Sequence, residues 1–153
     1  MKALYTLAFA FVLLVQPALS WAQQESAAII PAGDLIQPAD LAANLKSSAA
    51  KPIILQVGFR KLYAQAHVPD SEYVGPADED TGLESLRNRV AKLPQDSAIV
   101  IYCGCCPWSH CPNIAAAYKT LRALGFTRVK VLYIADNFGE NWVKLGYPTA
   151  TDK

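Results

Sequence analysis

Ile99-Val-Ile-Tyr-Cys103-Gly-Cys105-Cys106-Pro-Trp-Ser-His110-Cys111-Pro-Asn113 is the stretch from which the fold of this chain can be read. The apolar, partly β-branched run Ala98 to Tyr102 predicts a buried strand. It delivers Cys103 into a short loop. Pro112 suits the first turn of a helix, where its missing N–H costs nothing. The apolar and basic run Ile114 to Leu124 continues that helix, and Gly125 stops it. All four cysteines of the chain lie in this one loop. Strand, cysteine, loop and helix N-terminus, in that order, make a setting for a reactive thiolate. The helix dipole and the amides of its first turn favour negative charge there.

Working outward, strands and helices alternate. Gly33 to Ile36 reads as a short first strand, and Gln37-Pro38-Ala-Asp40 opens a helix through about Ser48. Ile53 to Val57 is a second strand. Arg60 to Gln65 is a short helical or irregular piece, and His67-Val-Pro69 a turn leading out of it. Pro76 to Gly82 is acidic and loop-like. Leu83 to Leu93 is amphipathic, with Leu83, Leu86, Val90 and Leu93 on one face, and Pro94 ends it. The cysteine loop and its helix follow. A strand from Val129 to Ile134 and a last helix near Gly139 to Leu145 complete the chain. This alternation implies an α/β fold, a mostly parallel central sheet with helices on both faces. Ligands of such sheets bind at the carboxyl ends of strands, and Cys103 sits at one.

The N-terminus reads as a processing signal. Lys2 is its basic start, Ala3 to Val15 an apolar stretch too short for a comfortable membrane span, and Ser20-Trp21-Ala22 a cleavage site. Residues 1–22 are thus expected to be a signal peptide, 23–32 a flexible lead-in, and 33–150 the domain. An uncleaved anchor is the alternative. No cysteine lies near the cleavage site, which argues against lipidation. The expected location is periplasmic or secreted, an oxidising space, with no membrane contact once the signal is cut. Roughly 130 residues remain, enough for one core and not for two. The 14 Lys and Arg nearly balance the 13 Asp and Glu, which argues against a nucleic-acid partner.

Four features in this order resemble the single-domain rhodanese family of sulfurtransferases. A strand runs into an irregular segment closed by His67-Val-Pro69, where the family has His-Ile-Pro. The strand Ile99-Val-Ile-Tyr leads directly to Cys103, the position of the family's nucleophile. The helix Ala115 to Leu124, with Gly125-Phe126 and Val129 after it, is similar to the family's next helix and strand. Trp142-Val-Lys-Leu-Gly146-Tyr147-Pro148 is similar to its closing Trp-x-x-x-Gly-Tyr-Pro. The resemblance implies a rhodanese-like domain and sulfur transfer through a persulfide on Cys103. Its partners would be a small sulfur donor and a thiol acceptor, with no cofactor and no bound metal.

The departures concern the site. The family loop reads Cys-x-x-Gly-x-Arg. Here it is longer and has no arginine, and His110 is its one side chain able to carry positive charge. Gln56 and Gly58 stand where an Asp and an Arg commonly end the second strand, with Arg60 nearby as a replacement. Asn137-Phe138 replaces a Gly-Gly before the last helix. Pro107 and Pro112 each remove a backbone donor from the loop.

Cys103 is therefore the expected catalytic residue. Gly104, Cys105, Cys106, Trp108, His110 and Cys111 are expected to bind substrate. Cys105, Cys106 and Cys111 admit three roles: resolving thiols that pair with or take sulfur from Cys103, halves of a structural disulfide (Cys111 with Cys105 or Cys106), or metal ligands. Two other functions stand beside sulfur transfer. One is a thiol–disulfide redox module on the same scaffold. The other is non-catalytic binding of a soft metal, since cysteines with His110 suit Zn²⁺ or Cu⁺. Against the metal, all ligands fall within one nine-residue stretch, whereas structural zinc sites use separated pairs. His67 is expected as a turn residue bonded to backbone, and Trp142 as core.

Overall fold

The computed structural model describes residues 30–47 and 51–152. The expected signal peptide and residues 23–29 of the lead-in lie outside them. Five strands and four α-helices follow in order: β1 (Leu35–Ile36), α1 (Pro38–Lys46), β2 (Ile53–Gln56), α2 (Arg60–Gln65), β3 (Glu72–Tyr73), α3 (Asp80–Val90), β4 (Ile99–Tyr102), α4 (Pro112–Ala123) and β5 (Val129–Leu132). The strands form one sheet in the order β1-β5-β4-β2-β3, and every pairing is parallel. β4, whose four residues are all buried, is its centre. Parallel strands covered on both faces are apolar throughout, and Ile-Val-Ile-Tyr is such a run.

Successive side chains of a strand point to opposite faces, and this divides the core in two. Ile99 and Ile101 pack with Leu55, Leu86, Val90, Ile114 and Leu121, under α3 and α4. Val100 and Tyr102 pack with Leu41, Ile54, Leu132 and Trp142, under α1 and the C-terminal turns. Ile30, 3% exposed, joins the first core, so packing reaches back into the segment read as a lead-in. Trp142 is fully buried and donates its indole N–H to the Pro148 carbonyl at 2.8 Å.

Three elements differ from the sequence reading. β3 was not expected: two residues carry no periodic signal, and it exists because Leu55 and Gln56 offer parallel partners to Glu72 and Tyr73. α3 begins at Asp80, inside the acidic stretch read as loop. Acidic groups at a helix N-terminus interact favourably with its dipole. The last helix is one π turn, Gly139–Val143, in which the Lys144 N–H reaches the Gly139 carbonyl at 2.9 Å. His67 behaves as the turn residue expected. Its Nδ1 donates to the Tyr63 carbonyl at 2.8 Å, its ring stacks on Tyr63 at 3.9 Å, and its backbone pairs with Ala150. No helix among the described residues is long and apolar enough to cross a membrane.

Gly82 in α3 gives a test of this packing. A Cβ there would lie 1.8 Å from the Pro76 carbonyl oxygen and 2.4 Å from its carbon. Helix propensity alone favours Gly82→Ala by about 1 kcal/mol. Here the backbone contact decides the sign, and we expect a loss of about 1–3 kcal/mol. Urea unfolding measures it; an alanine variant as stable as the parent would contradict the packing.

Candidate functional site

The parallel register sets Gln56 beside Tyr102, so β2 and β4 end level with one another. Gln56 is 1% exposed, and its side-chain amide is used at both ends. Its Nε2 donates to the Cys103 carbonyl at 2.8 Å, and its Oε1 accepts the Gly58 N–H at 3.2 Å. A buried amide with both ends satisfied in this way holds its neighbours in place. Gly58 is needed for a separate reason. A Cβ on it would lie 2.5 Å from the Cys103 sulfur and 2.9 Å from the Cys103 carbonyl oxygen. The two positions where the family commonly has an Asp and an Arg thus form a neutral seat for Cys103.

Cys103 continues the alternation of β4, on the side of Ile99 and Ile101, and is 3% exposed. Gly104 turns the chain with φ +89°, a conformation that suits glycine, and its carbonyl accepts the Phe138 N–H at 2.9 Å. A cleft of about 360 Å³ opens above, lined among others by Gln56, Leu62, Tyr102, Cys103, Cys105 and Phe138; among the described residues no Lys, Arg, His, Asp or Glu side chain is in its wall. It lies at the carboxyl ends of the strands, where α/β sheets bind ligands.

No disulfide joins the four cysteines in this structure, and they are closely grouped. The Cys103 and Cys105 sulfurs are 3.2 Å apart and those of Cys105 and Cys106 3.1 Å. The sulfurs of Cys103, Cys105 and Cys111 all lie within 4.8 Å of one another. Four thiols so close share charge unequally. Cys103 is pushed well above the usual thiol range, first because Cys105 holds its proton in place, then by Cys106, Cys111 and burial. Cys105, half-buried and nearer solvent, is held well below that range, chiefly by its contact with Cys103. The two sulfurs are thus shifted in opposite directions, the proton favoured on the deeper Cys103 and the charge on the outer Cys105.

The remaining expected residues divide. Gly104 and Cys105 line the cleft with Cys103. Cys111 lies beneath them, fully buried, as the N-cap of α4. Cys106 touches the Cys105 sulfur but does not line the cleft. Trp108 and His110 belong to a single 3₁₀ turn, Trp108–His110, that leads away from it. Trp108 donates its backbone N–H to Ile134 at 2.9 Å and packs its ring on Tyr133 at 6.1 Å. His110 is exposed and bonded through Nδ1 to the Ser109 hydroxyl at 2.8 Å. Arg60 does not replace the missing arginine: it pairs with Asp152 at 3.0 Å and lies over Tyr63 and Tyr73. The backbone N–H groups of Trp108, His110 and Cys111 are spent on protein carbonyls. Sequence reasoning missed Leu62, Gln65, Ala66 and Val143 as lining residues; side chains without charge or a nucleophile, on short helical turns, carry no chemical signal.

Exposure and charge together predict which thiol reacts first. Under limiting iodoacetamide, Cys105 should be alkylated before Cys103 and Cys111. An ordinary thiol near pKa 8.5 loses about tenfold in thiolate for each pH unit below it. The Cys105 rate should instead stay nearly flat from about pH 8 to pH 6, because its thiolate persists below the ordinary range. Peptide mass mapping reads this; Cys103 labelling first, or an ordinary pH slope at Cys105, would contradict the assignment.

A family model described as "Rhodanese-like domain" matches residues 37–134, well over half of the chain. No curated protein matches the sequence. Among solved structures the chain is similar to the rhodanese-like domain of an Anabaena sp. protein, at 21% identity over 77% of this chain and 79% of that one, with a TM-score of 0.56. It is similar to a protein of unknown function from Rhodopseudomonas palustris, described as a possible tyrosine phosphatase, at 20% identity over 84% and 91%, TM-score 0.58. It is also similar to a rhodanese-like domain protein from Staphylococcus aureus, at 12% identity over 78% and 99%, TM-score 0.54. At such identities these likenesses speak to the fold, and they agree with the five-stranded parallel sheet. With the family match spanning that sheet from α1 to the end of β5, the chain belongs to the rhodanese-like domain family.

Proposed function

We propose that this protein is an exported sulfurtransferase that carries sulfane sulfur as a persulfide on Cys103. One observation carries the reading: Cys103 sits at the floor of a cleft at the carboxyl end of β4 whose wall offers no cation among the described residues, its sulfur 3.2 Å from that of Cys105. Transfer of the Cys103 proton to the less basic Cys105 is uphill, so the Cys103 thiolate forms as a minor and strongly nucleophilic species. The Cys103 thiolate attacks the outer sulfur of a donor R–S–SH, the S–S bond of the donor breaks, and R–S⁻ leaves and takes up the proton. An acceptor thiolate then attacks the terminal sulfur and returns Cys103 as the leaving thiolate. The cleft favours a donor without strong charge. Thiosulfate and phosphate esters are dianions, and the wall offers no cation to either. The name of the R. palustris protein suggests phosphate-ester chemistry on this fold; the same missing cation counts against it here.

A thiol–disulfide module is the second reading, favoured by the 3.1 and 3.2 Å sulfur contacts. Persulfide formation separates the two. Intact mass after a low-molecular-weight persulfide should show one added sulfur on the parent and none on Cys103→Ser. Transfer by Cys103→Ser should fall by at least about a thousandfold, as when a covalent nucleophile is removed. Cys105→Ser, Cys106→Ser and Cys111→Ser should retain part of it. Thiosulfate should be a poor donor beside a persulfide or polysulfide. Normal turnover in Cys103→Ser, or thiosulfate as the better donor, would overturn the reading.

Export is proposed on the N-terminal sequence. The mature chain should begin near Gln23, and protein isolated from the oxidising compartment should titrate fewer than four free thiols out of its four cysteines. N-terminal peptide mass and thiol titration measure both. Retention of Met1 to Ala22 in a soluble form, or four free thiols on isolation, would contradict them.

A further inference from the structure

The sulfur cluster has a second use that does not depend on the transfer reaction. The sulfurs of Cys103, Cys105 and Cys111 are mutually within 4.8 Å. A d¹⁰ cation at about 2.3 Å from three thiolates in a plane holds them about 4 Å apart. The observed separations, from 3.2 Å upward, bracket that spacing. The donors are all soft, and thiolates select Cu⁺ and similar ions over hard cations. No carboxylate or imidazole of the cleft competes for the ion or completes a harder shell. His110, a candidate ligand on sequence, is bonded to Ser109 on the exposed side of its turn and is not among the three. Zn²⁺ asks for four ligands in a structural site; Cys106, though in contact with the Cys105 sulfur, stands outside the three that are mutually within reach. Two of the three are almost fully buried, Cys103 at 3% and Cys111 at 0% exposure, so a bound ion is shielded from water. Negative charge left over from three thiolates lies at the N-terminus of α4, a twelve-residue helix whose N-cap position Cys111 occupies, where the dipole favours it.

We propose that in the reduced loop Cys103, Cys105 and Cys111 form a three-sulfur site for a soft monovalent cation, Cu⁺, exclusive of His110. Binding replaces thiol protons by the metal, with protons released to solvent and no change in oxidation state. Because Cys103 is shared, a bound ion and a persulfide exclude each other.

The test is anaerobic titration of the reduced full chain with Cu⁺ against a chromogenic Cu⁺ chelator, with X-ray absorption at the copper edge. The parent should retain one Cu⁺ per chain in a sulfur-only shell. His110→Ala should bind as the parent does. Cys111→Ser should lose at least the ten- to hundredfold affinity that even outer-shell changes cost a metal site, with circular dichroism checking that it folds. Cu⁺ should also protect Cys103 from alkylation in the parent, a readout that needs no variant. No retained Cu⁺, nitrogen in the shell, unchanged affinity in Cys111→Ser, or unprotected Cys103 would each overturn the site. Failure of persulfide transfer would leave it standing, since transfer and metal binding are read separately.

Discussion

The buried side chain of Gln56 joins the ends of two adjacent strands, and the site depends on that junction. One amide holds the carbonyl of Cys103 at 2.8 Å and the N–H of Gly58 at 3.2 Å. Each bond is worth about 1 kcal/mol net, while leaving either buried partner unmet costs about 1–3 kcal/mol. The same clamp holds the bare Cα of Gly58 against the Cys103 sulfur, where no other side chain fits. Positioning the thiol with a neutral amide rather than an ion pair keeps the floor of the cleft uncharged.

That neutrality shapes the chemistry. With no cation in the wall, a negative charge in the loop is stabilised by neighbouring thiols and by the start of α4. The sulfurs divide the work: Cys105, nearer solvent, holds the charge, and Cys103, deeper, holds the proton. The arrangement sets the Cys105 sulfur 3.2 Å from that of Cys103 and 3.1 Å from that of Cys106. It also gathers three soft ligands in one dry place.

The far wall rests on aromatic packing. Tyr102 stacks on Phe138 at 5.4 Å, Phe138 on Trp142 at 5.8 Å, and Trp142 meets Tyr147 at 5.1 Å. The Tyr102 hydroxyl is anchored by the Val68 N–H and by Ser71, both at 3.1 Å, and burial raises its pKa far above the ordinary phenol value. Phe138 fills space that a Gly-Gly would leave open, and its N–H holds Gly104. This narrows the cleft and makes it more apolar.

The amino-acid sequence by itself determined the α/β class, the central strand Ile99–Tyr102, the placing of Cys103 at its end and the burial of Trp142. These rest on local periodicity, on proline and glycine at helix ends and on spacing along the chain, all of which survive folding because they act within one element. It also pointed to Gln56, Gly58, Asn137 and Phe138 as departures, without saying what they do. Tertiary structure alone decided that Gln56 and Gly58 seat Cys103, that β3 pairs, that Arg60 faces Asp152, and that Trp108 and His110 turn away while Cys111 turns in. Nine consecutive residues from Cys103 to Cys111 offer the same chemistry in any conformation. Which of them meet is set by backbone hydrogen bonds of the loop to Ile134 and Phe138, contacts between segments far apart in sequence that no local pattern encodes.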